Sequence, residues 1–306
     1  MWFLNSFYFK ITFLCLCLSI PSLALAKSFP ALAILSQIKG NVKAGPINRI
    51  SDGFNGKMLW NRFQVQTEEK SAASIFFADG SEIRLFNSSN LKIGLKKSPS
   101  SRWSRYRILL SSGSFWGYFS RGKTPVEIGG EGLRILLSNA SIRFTKQKKG
   151  NNISVSSGFA KVFNMVSSVN LKSGQRLYQI QKKDFLPQKI GVIPNKLILQ
   201  IEPDNPIFSR ERSLNLNLNF QVVRNGTDFK INRSGPIYLR NNYYNLTIPD
   251  SIKLNSEGES KIVIKVKPPH SNDRTFMNSL IFQAIMDQNG YDDVQDGLST
   301  IKFRTP

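Results

Sequence analysis

Apolar and polar residues alternate along most of this chain, in short runs separated by Gly, Asn, Ser and Asp. Hardly any segment carries a helical period, so the pattern predicts an all-β protein. The clearest alternation sets Leu214, Leu216, Leu218, Phe220 and Val222 against Asn215, Asn217, Asn219 and Gln221. That is an antiparallel strand with one buried and one wet face. A second signal is Asp79-Gly80 between the apolar runs of residues 71–78 and 81–85, a short-range hairpin pattern. A two-residue loop would set Phe77 opposite Glu82. A three-residue loop, Ala78-Asp79-Gly80, sets Phe77 opposite Ser81 and Ile75 opposite Ile83. The second register gathers Ile75, Phe77, Ile83 and Leu85 on one face, and burial selects it. Gly80 then takes the left-handed position of a bulge, so Asp79, Gly80 and Ser81 form a structural turn.

Other candidate strands of the first half cover residues 34–42, 63–66, 83–86, 106–110, 114–119, 141–145, 153–156, 160–164 and 177–181. Glycines 113, 158 and 174 punctuate them, a cadence that suits a sandwich or a solenoid-like coil. Residues 182–195 hold Lys182-Lys183-Asp184, Pro187 and Pro194 and read as a linker. Beyond it, strands are expected at 197–202, 237–241, 244–248, 261–267, 279–286 and 298–303, besides the one at Leu214. About seven strands at that spacing predict an immunoglobulin-like β-sandwich over 196–306.

Several stretches resemble the FecR domain family. Gly40-Asn41-Val42 matches its Gly-x-Val opening. Val65-Gln66-Thr67, Ser74-Ile75-Phe76-Phe77, Asp79-Gly80-Ser81 and Asn90-Leu91-Lys92-Ile93 follow its threonine, strand, Asp-Gly-Ser and second strand. The stretches from Leu110, Val155 and Leu171 resemble its glycine-containing repeats, closing on Leu171-Lys-Ser-Gly174-Gln175. Asn61-Arg62 stands where the family has Gly-Asp. The resemblance implies a FecR-like β domain over residues 33–181. Full-length regulators of that family receive a signal from an outer-membrane transporter and control a sigma factor.

Residues 1–26 change the picture of where the chain works. Lys10, the apolar run 11–20 and Ala24-Leu25-Ala26 have the order of a secretory signal peptide. About nine residues precede the apolar run, so direct sigma-factor control is not expected. Cys15 and Cys17 are the only two cysteines, and both lie in that signal. A mature chain cut after Ala26 has no disulfide and no thiol nucleophile. No later apolar run has spanning length, so a periplasmic or secreted location is expected.

Lys and Arg number 42 against 20 Asp and Glu, a formal charge of +22. That favours polyanions, and in an exported protein these are envelope glycans or phosphorylated lipid head groups rather than nucleic acid. The segment 96–107 concentrates the charge, with Lys96, Lys97, Arg102, Arg105 and Arg107 beside Trp103 and Tyr106. Guanidinium groups clamp phosphate or carboxylate, and a flat ring stacks on a sugar face. Trp116 and Tyr118 share one side of a strand and read equally as core or as a ligand platform. The acidic loop 287–297 misses the EF-hand spacing, so it reads as a polar strand connection and calcium is not expected. His270 is the one histidine, and no serine elbow, zinc motif or nucleotide fingerprint occurs. No cofactor is implied. The expectation is a non-catalytic envelope protein working by protein–protein contact, or a basic module for an anionic envelope polysaccharide or lipid head group.

Overall fold

The computed structural model describes residues 31–97, 104–120, 126–130, 132–204, 206, 212–242, 246–249, 251–267 and 279–302. The chain is all-β there. The first module holds β1 (Ala33–Lys39), β2 (Val42–Pro46), β3 (Ser51–Asp52), β4 (Met58–Leu59) and β5 (Phe63–Thr67). It continues with β6 (Ala72–Phe77), β7 (Glu82–Leu85), β8 (Asn90–Lys97), β9 (Ser104–Phe119) and β10 (Val126–Gly130). β11 (Leu133–Gln147), β12 (Gly150–Phe163), β13 (Ser168–Lys172), β14 (Gln175–Ile180) and β15 (Ile190–Val192) complete it. The second module holds β16 (Asn195–Glu202), β17 (Leu214–Arg224), β18 (Gly235–Asn241), β19 (Leu246–Thr247) and β20 (Ile252–Leu254). It ends with β21 (Glu259–Val266), β22 (Ser279–Met286), β23 (Val294–Gln295) and β24 (Gly297–Lys302).

The β6–β7 hairpin has the register that burial selects. Ile75 stands opposite Ile83 and Ala73 opposite Leu85. The Phe77 N–H donates to Ser81 C=O at 2.9 Å, and Gly80 has φ +83°. Asp79 Oδ1 accepts from the Ser81 N–H at 3.0 Å, which fixes the turn. Ile75, Phe77, Ile83 and Leu85 all enter the first core.

The first module is one fifteen-stranded sheet that curls around its core. Its long strands bend from one side of the curl to the other. The first half of β9 pairs with β8 and β10, and the second half with β7 and β11. Residues 106–110 and 114–119 are therefore one strand, and so are 153–156 and 160–164. Glycines 113 and 158 bend these strands rather than break them. Gly158 has φ +74°, and a Cβ there would sit 1.9 Å from the Asn139 carbonyl oxygen. Only glycine allows that approach without loss of pairing. Residues 182–195, read as a linker, contain the 3-10 turn Leu186–Lys189, and β15 pairs with β14. Leu186 belongs to the first core.

The second module is a two-layer sandwich with strand orders β19-β21-β17-β16-β23 and β20-β18-β22-β24. Leu216, Leu218, Phe220 and Val222 of β17 fill its core, while Asn217, Asn219 and Gln221 stay partly exposed. Phe282, Ala284 and Met286 of β22 meet them from the other layer. Each fully buried side chain of this size contributes about 1.5–3 kcal/mol.

Candidate functional site

Alternation places a polar row on the outer face of the first sheet. Ser74, Arg84, Trp116, Arg143, Ser154 and Arg176 stand opposite one another across β6, β7, β9, β11, β12 and β14. A polar parity of this kind reads as solvent-facing, yet Ser74 to Ser154 of the row are buried. The second module covers them. Arg84 Nε and Nη2 donate to the two Asp287 carboxylate oxygens, both at 2.8 Å. Arg143 donates to the carbonyls of Gln288 at 2.8 Å and Met286 at 2.5 Å, and its guanidinium lies 4.5 Å from the Phe86 ring centre. The Trp116 indole N–H, the Ser141 hydroxyl and the Gln283 amide all donate to Asp296 Oδ2. Thr145 and Asn152 donate to Asp292.

This seam explains two sequence features. Trp116 is fully buried with Phe86 and Ile285 in a small apolar cluster at the seam, so it is neither module core nor open platform. The acidic loop uses its carboxylates on the first module: Asp287 on Arg84, Asp292 on Thr145 and Asn152, and Asp296 on Trp116 and Ser141. Among the described residues, no group of three or more His, Cys, Asp or Glu could hold a metal ion. At the end of the seam, Glu82 accepts from the Tyr238 hydroxyl at 2.6 Å and Arg240 Nε at 3.1 Å. Burial pushes the Glu82 carboxyl above the usual carboxylate range, against the opposing pull of Tyr238, Arg240 and Arg84. Burial likewise raises Asp296, against Trp116, Ser141 and Arg143.

The candidate binding segment forms the β8–β9 hairpin. Lys96 pairs with Arg105 and Gly94 with Arg107. Leu91 and Ile93 of β8 and Tyr106, Ile108 and Leu110 of β9 point into the core. Tyr106 is thus a core residue rather than a stacking platform. Its ring centre lies 4.9 Å from that of Phe77, and burial, with a smaller push from Asp79, raises its hydroxyl pKa. The opposite parity puts Lys92, Lys96 and Arg107 outward. Arg102 and Trp103 lie outside the described residues, as do the side chains of Lys97 and Arg105.

Lys92, Lys96 and Arg107 line a surface groove of about 260 Å³ together with Arg62, over Ile47, Leu95 and Leu109. Arg62 comes from the turn before β5 and is held there by its N–H donating to Ile93 C=O at 3.0 Å. Asn61 Oδ1 accepts from the Leu95 N–H at 2.9 Å, which ties the same turn to β8. One carboxylate stands nearby. Glu127 on β10 lies 3.4 Å from Lys96 Nζ and 3.5 Å from Arg134 Nε. Among the described residues, no carboxylate pairs with Arg62, Lys92 or Arg107. Among the described residues, the groove therefore holds three cations without a carboxylate partner, Arg62, Lys92 and Arg107, above an apolar floor. Lys96 and Arg107 were legible in the sequence. Lys92 shares the outward parity of Lys96, a signal that could have found it, whereas Arg62 arrives only through the packing of its turn against β8.

Comparison with known proteins gives little. No family model and no curated protein matches the chain. Two crystal structures of a "putative anti-sigma factor" from Parabacteroides distasonis ATCC 8503 overlap 37% of this chain, at 12% and 13% identity and a TM-score of 0.32. The match covers 53% of those chains, so this chain spans about half their length. No helix of the described residues is long and apolar enough to cross a membrane.

Proposed function

We propose that this is an exported, non-catalytic envelope protein of FecR type that binds an anionic envelope ligand in the basic groove. The ligand class is a phosphate- or carboxylate-bearing glycan or lipid head group. The observation that carries the reading is the convergence of Arg62, Lys92, Lys96 and Arg107 over Ile47, Leu95 and Leu109. Guanidinium forks grip phosphate or carboxylate in pairs, the ammonium groups add point charge, and the apolar floor accepts a sugar face or the root of an acyl chain. Export is supported by the signal-like order of residues 1–26, and FecR type by the Asp79-Gly80-Ser81 turn and its flanking strands.

Sedimentation with phosphatidylglycerol vesicles and with lipopolysaccharide tests the reading, with phosphatidylcholine vesicles as control. Lys92→Glu plus Arg107→Glu should weaken binding to the anionic surfaces at least tenfold. Binding by the unaltered protein should fall steeply between low salt and 0.5 M, because exposed charges are screened beyond about 10 Å at 0.1 M. Equal binding by the variant, or equal binding to phosphatidylcholine, sinks the reading.

A further inference from the structure

The outer face of β8 runs on past the basic groove. Asn90, Lys92, Gly94 and Lys96 share its outward parity, each step being about 7 Å. Lys92, Gly94 and Lys96 line the groove, whereas Asn90 lines a second hollow of about 410 Å³. The pairing register builds that hollow as a polar row across four strands. Lys43 on β2 pairs with Gln66 on β5, Gln66 with Asn90 on β8, and Asn90 with Ser112 on β9. All four line the hollow, together with Ser88 and Glu69.

The chemistry of the hollow differs from that of the groove. Lys43 and Glu68 stand 3.2 Å apart, and Glu68 also accepts from Asn41 Nδ2 at 3.2 Å, so these charges are spent on each other. Gln66, Ser88 and Ser112 offer an amide and two hydroxyls, and exposed Glu69 offers a carboxylate. Asn90 Oδ1 is buried and has no hydrogen-bond partner among the described residues. A buried acceptor left unpaired is costly, so native acceptors are normally matched by a donor. A ligand hydroxyl entering the hollow supplies that donor, and the neighbouring amide and hydroxyls match further hydroxyls. Between hollow and groove, Lys92 is partly exposed and Ser111 and Ser112 are exposed, so the surface of β8 and β9 that joins them reaches solvent. From Asn90 to Gly94 is about 13 Å of strand, a span for an oligosaccharide rather than a single sugar.

We propose that groove and hollow together bind an anionic oligosaccharide. Its phosphate or carboxylate lies on Arg62, Lys92, Lys96 and Arg107, and a neutral neighbouring unit is hydrogen-bonded to Asn90, Gln66 and Ser112. The proposal rests on the basic-groove reading and narrows its ligand from any anionic head group to a glycan. Glu69 sets the direction, because its carboxylate accepts from sugar hydroxyls and repels a second anion.

NMR titration of the full mature chain at fixed ionic strength tests it. The probes are inorganic phosphate, lactose 1-phosphate and glycerophosphoglycerol, the soluble head group of phosphatidylglycerol. Lactose 1-phosphate should bind at least tenfold tighter than the other two. It should shift the side-chain amides of Asn90 and Gln66 as well as Lys92 and Arg107, whereas inorganic phosphate should shift only the groove. Asn90→Ala should bring the affinity ratio of lactose 1-phosphate to phosphate close to one. Gln66→Ala, at a partly exposed position, should lower the same ratio and serves as the second variant if Asn90→Ala does not fold. Equal affinity for the three probes, or Asn90 and Gln66 amides unmoved by lactose 1-phosphate, overturns the proposal and leaves the groove reading standing. A ratio unchanged in the variants also overturns it and assigns the partner of Asn90 Oδ1 to water only. If none of the probes shifts Lys92 and Arg107, the groove reading itself falls.

Discussion

Removing Asp287 should damage this protein far more than removing an ordinary charged residue. The Arg84 and Asp287 side chains are 5% and 8% exposed and joined by two bonds of 2.8 Å. Replacing Asp287 by Ala strands the guanidinium in a dry seam, with only Gln37 C=O at 2.9 Å and Ser74 Oγ at 3.3 Å left as acceptors. Breaking one side of a buried pair costs about 3–5 kcal/mol, because the other charge stays desolvated. Replacing both partners by apolar groups of similar volume, as in Arg84→Met with Asp287→Leu, is nearly neutral by the same reasoning. Urea unfolding followed by tryptophan fluorescence reads the seam, since Trp116 is buried in it. Far-ultraviolet circular dichroism read in parallel reports both modules. The single change should lower stability by about 3–5 kcal/mol and the double change by much less, a coupling that a double-mutant cycle isolates. A single-variant loss below about 1 kcal/mol, the range of an exposed pair, would refute the claim that the seam is dry. So would a double variant as damaged as the single one.

Two further outcomes follow from the same geometry. Glu82 and Asp296 are raised above their usual values of 4.5 and 3.8, so the folded state holds these protons to higher pH than the unfolded chain does. Their contribution to stability is greatest at low pH and is lost as pH rises from those unfolded values through the raised folded ones. The stability of the unaltered protein minus that of Glu82→Gln, from urea titrations between pH 8 and pH 5, should therefore increase as pH falls; a difference constant with pH would show that Glu82 is not strained. Gly158→Ala must hold φ +74° and meet the Asn139 carbonyl at 1.9 Å, so it should cost more than the roughly 1–2 kcal/mol of a left-handed residue. Gly226→Ala, at φ +80° with open space around the new Cβ, should cost no more than that, and equal losses in thermal melts would contradict the bend at β12.

The elements whose partners are local were the legible ones. The parity of Ile75, Phe77, Ile83 and Leu85 settles the β6–β7 register, because one choice buries four apolar side chains and the other does not. The Leu214–Val222 alternation likewise identifies a core strand. What the sequence hides is the second coat on the polar face. Arg84, Trp116, Arg143 and Thr145 occupy positions that alternation assigns to water, and alternation cannot tell water from another module's carboxylates and carbonyls. The bends at Gly113 and Gly158 were hidden for a related reason. A glycine that ends a strand and one that turns it onto a new neighbour look alike until the neighbours are known. In the binding segment, Tyr106 could have been placed inside by its parity with Ile108 and Leu110. The groove itself depends on Arg62, which pairing of β5 with β8 brings beside Lys92.

The claim that an anion is held in this groove is tested most directly by NMR mapping with pyrophosphate, a minimal probe of the ligand's charged part. The account predicts saturable chemical-shift changes centred on Arg62, Lys92, Lys96 and Arg107, abolished by Lys92→Glu with Arg107→Glu. Shifts spread evenly over the basic surface, or centred on lysines away from β8 and β9, would contradict it.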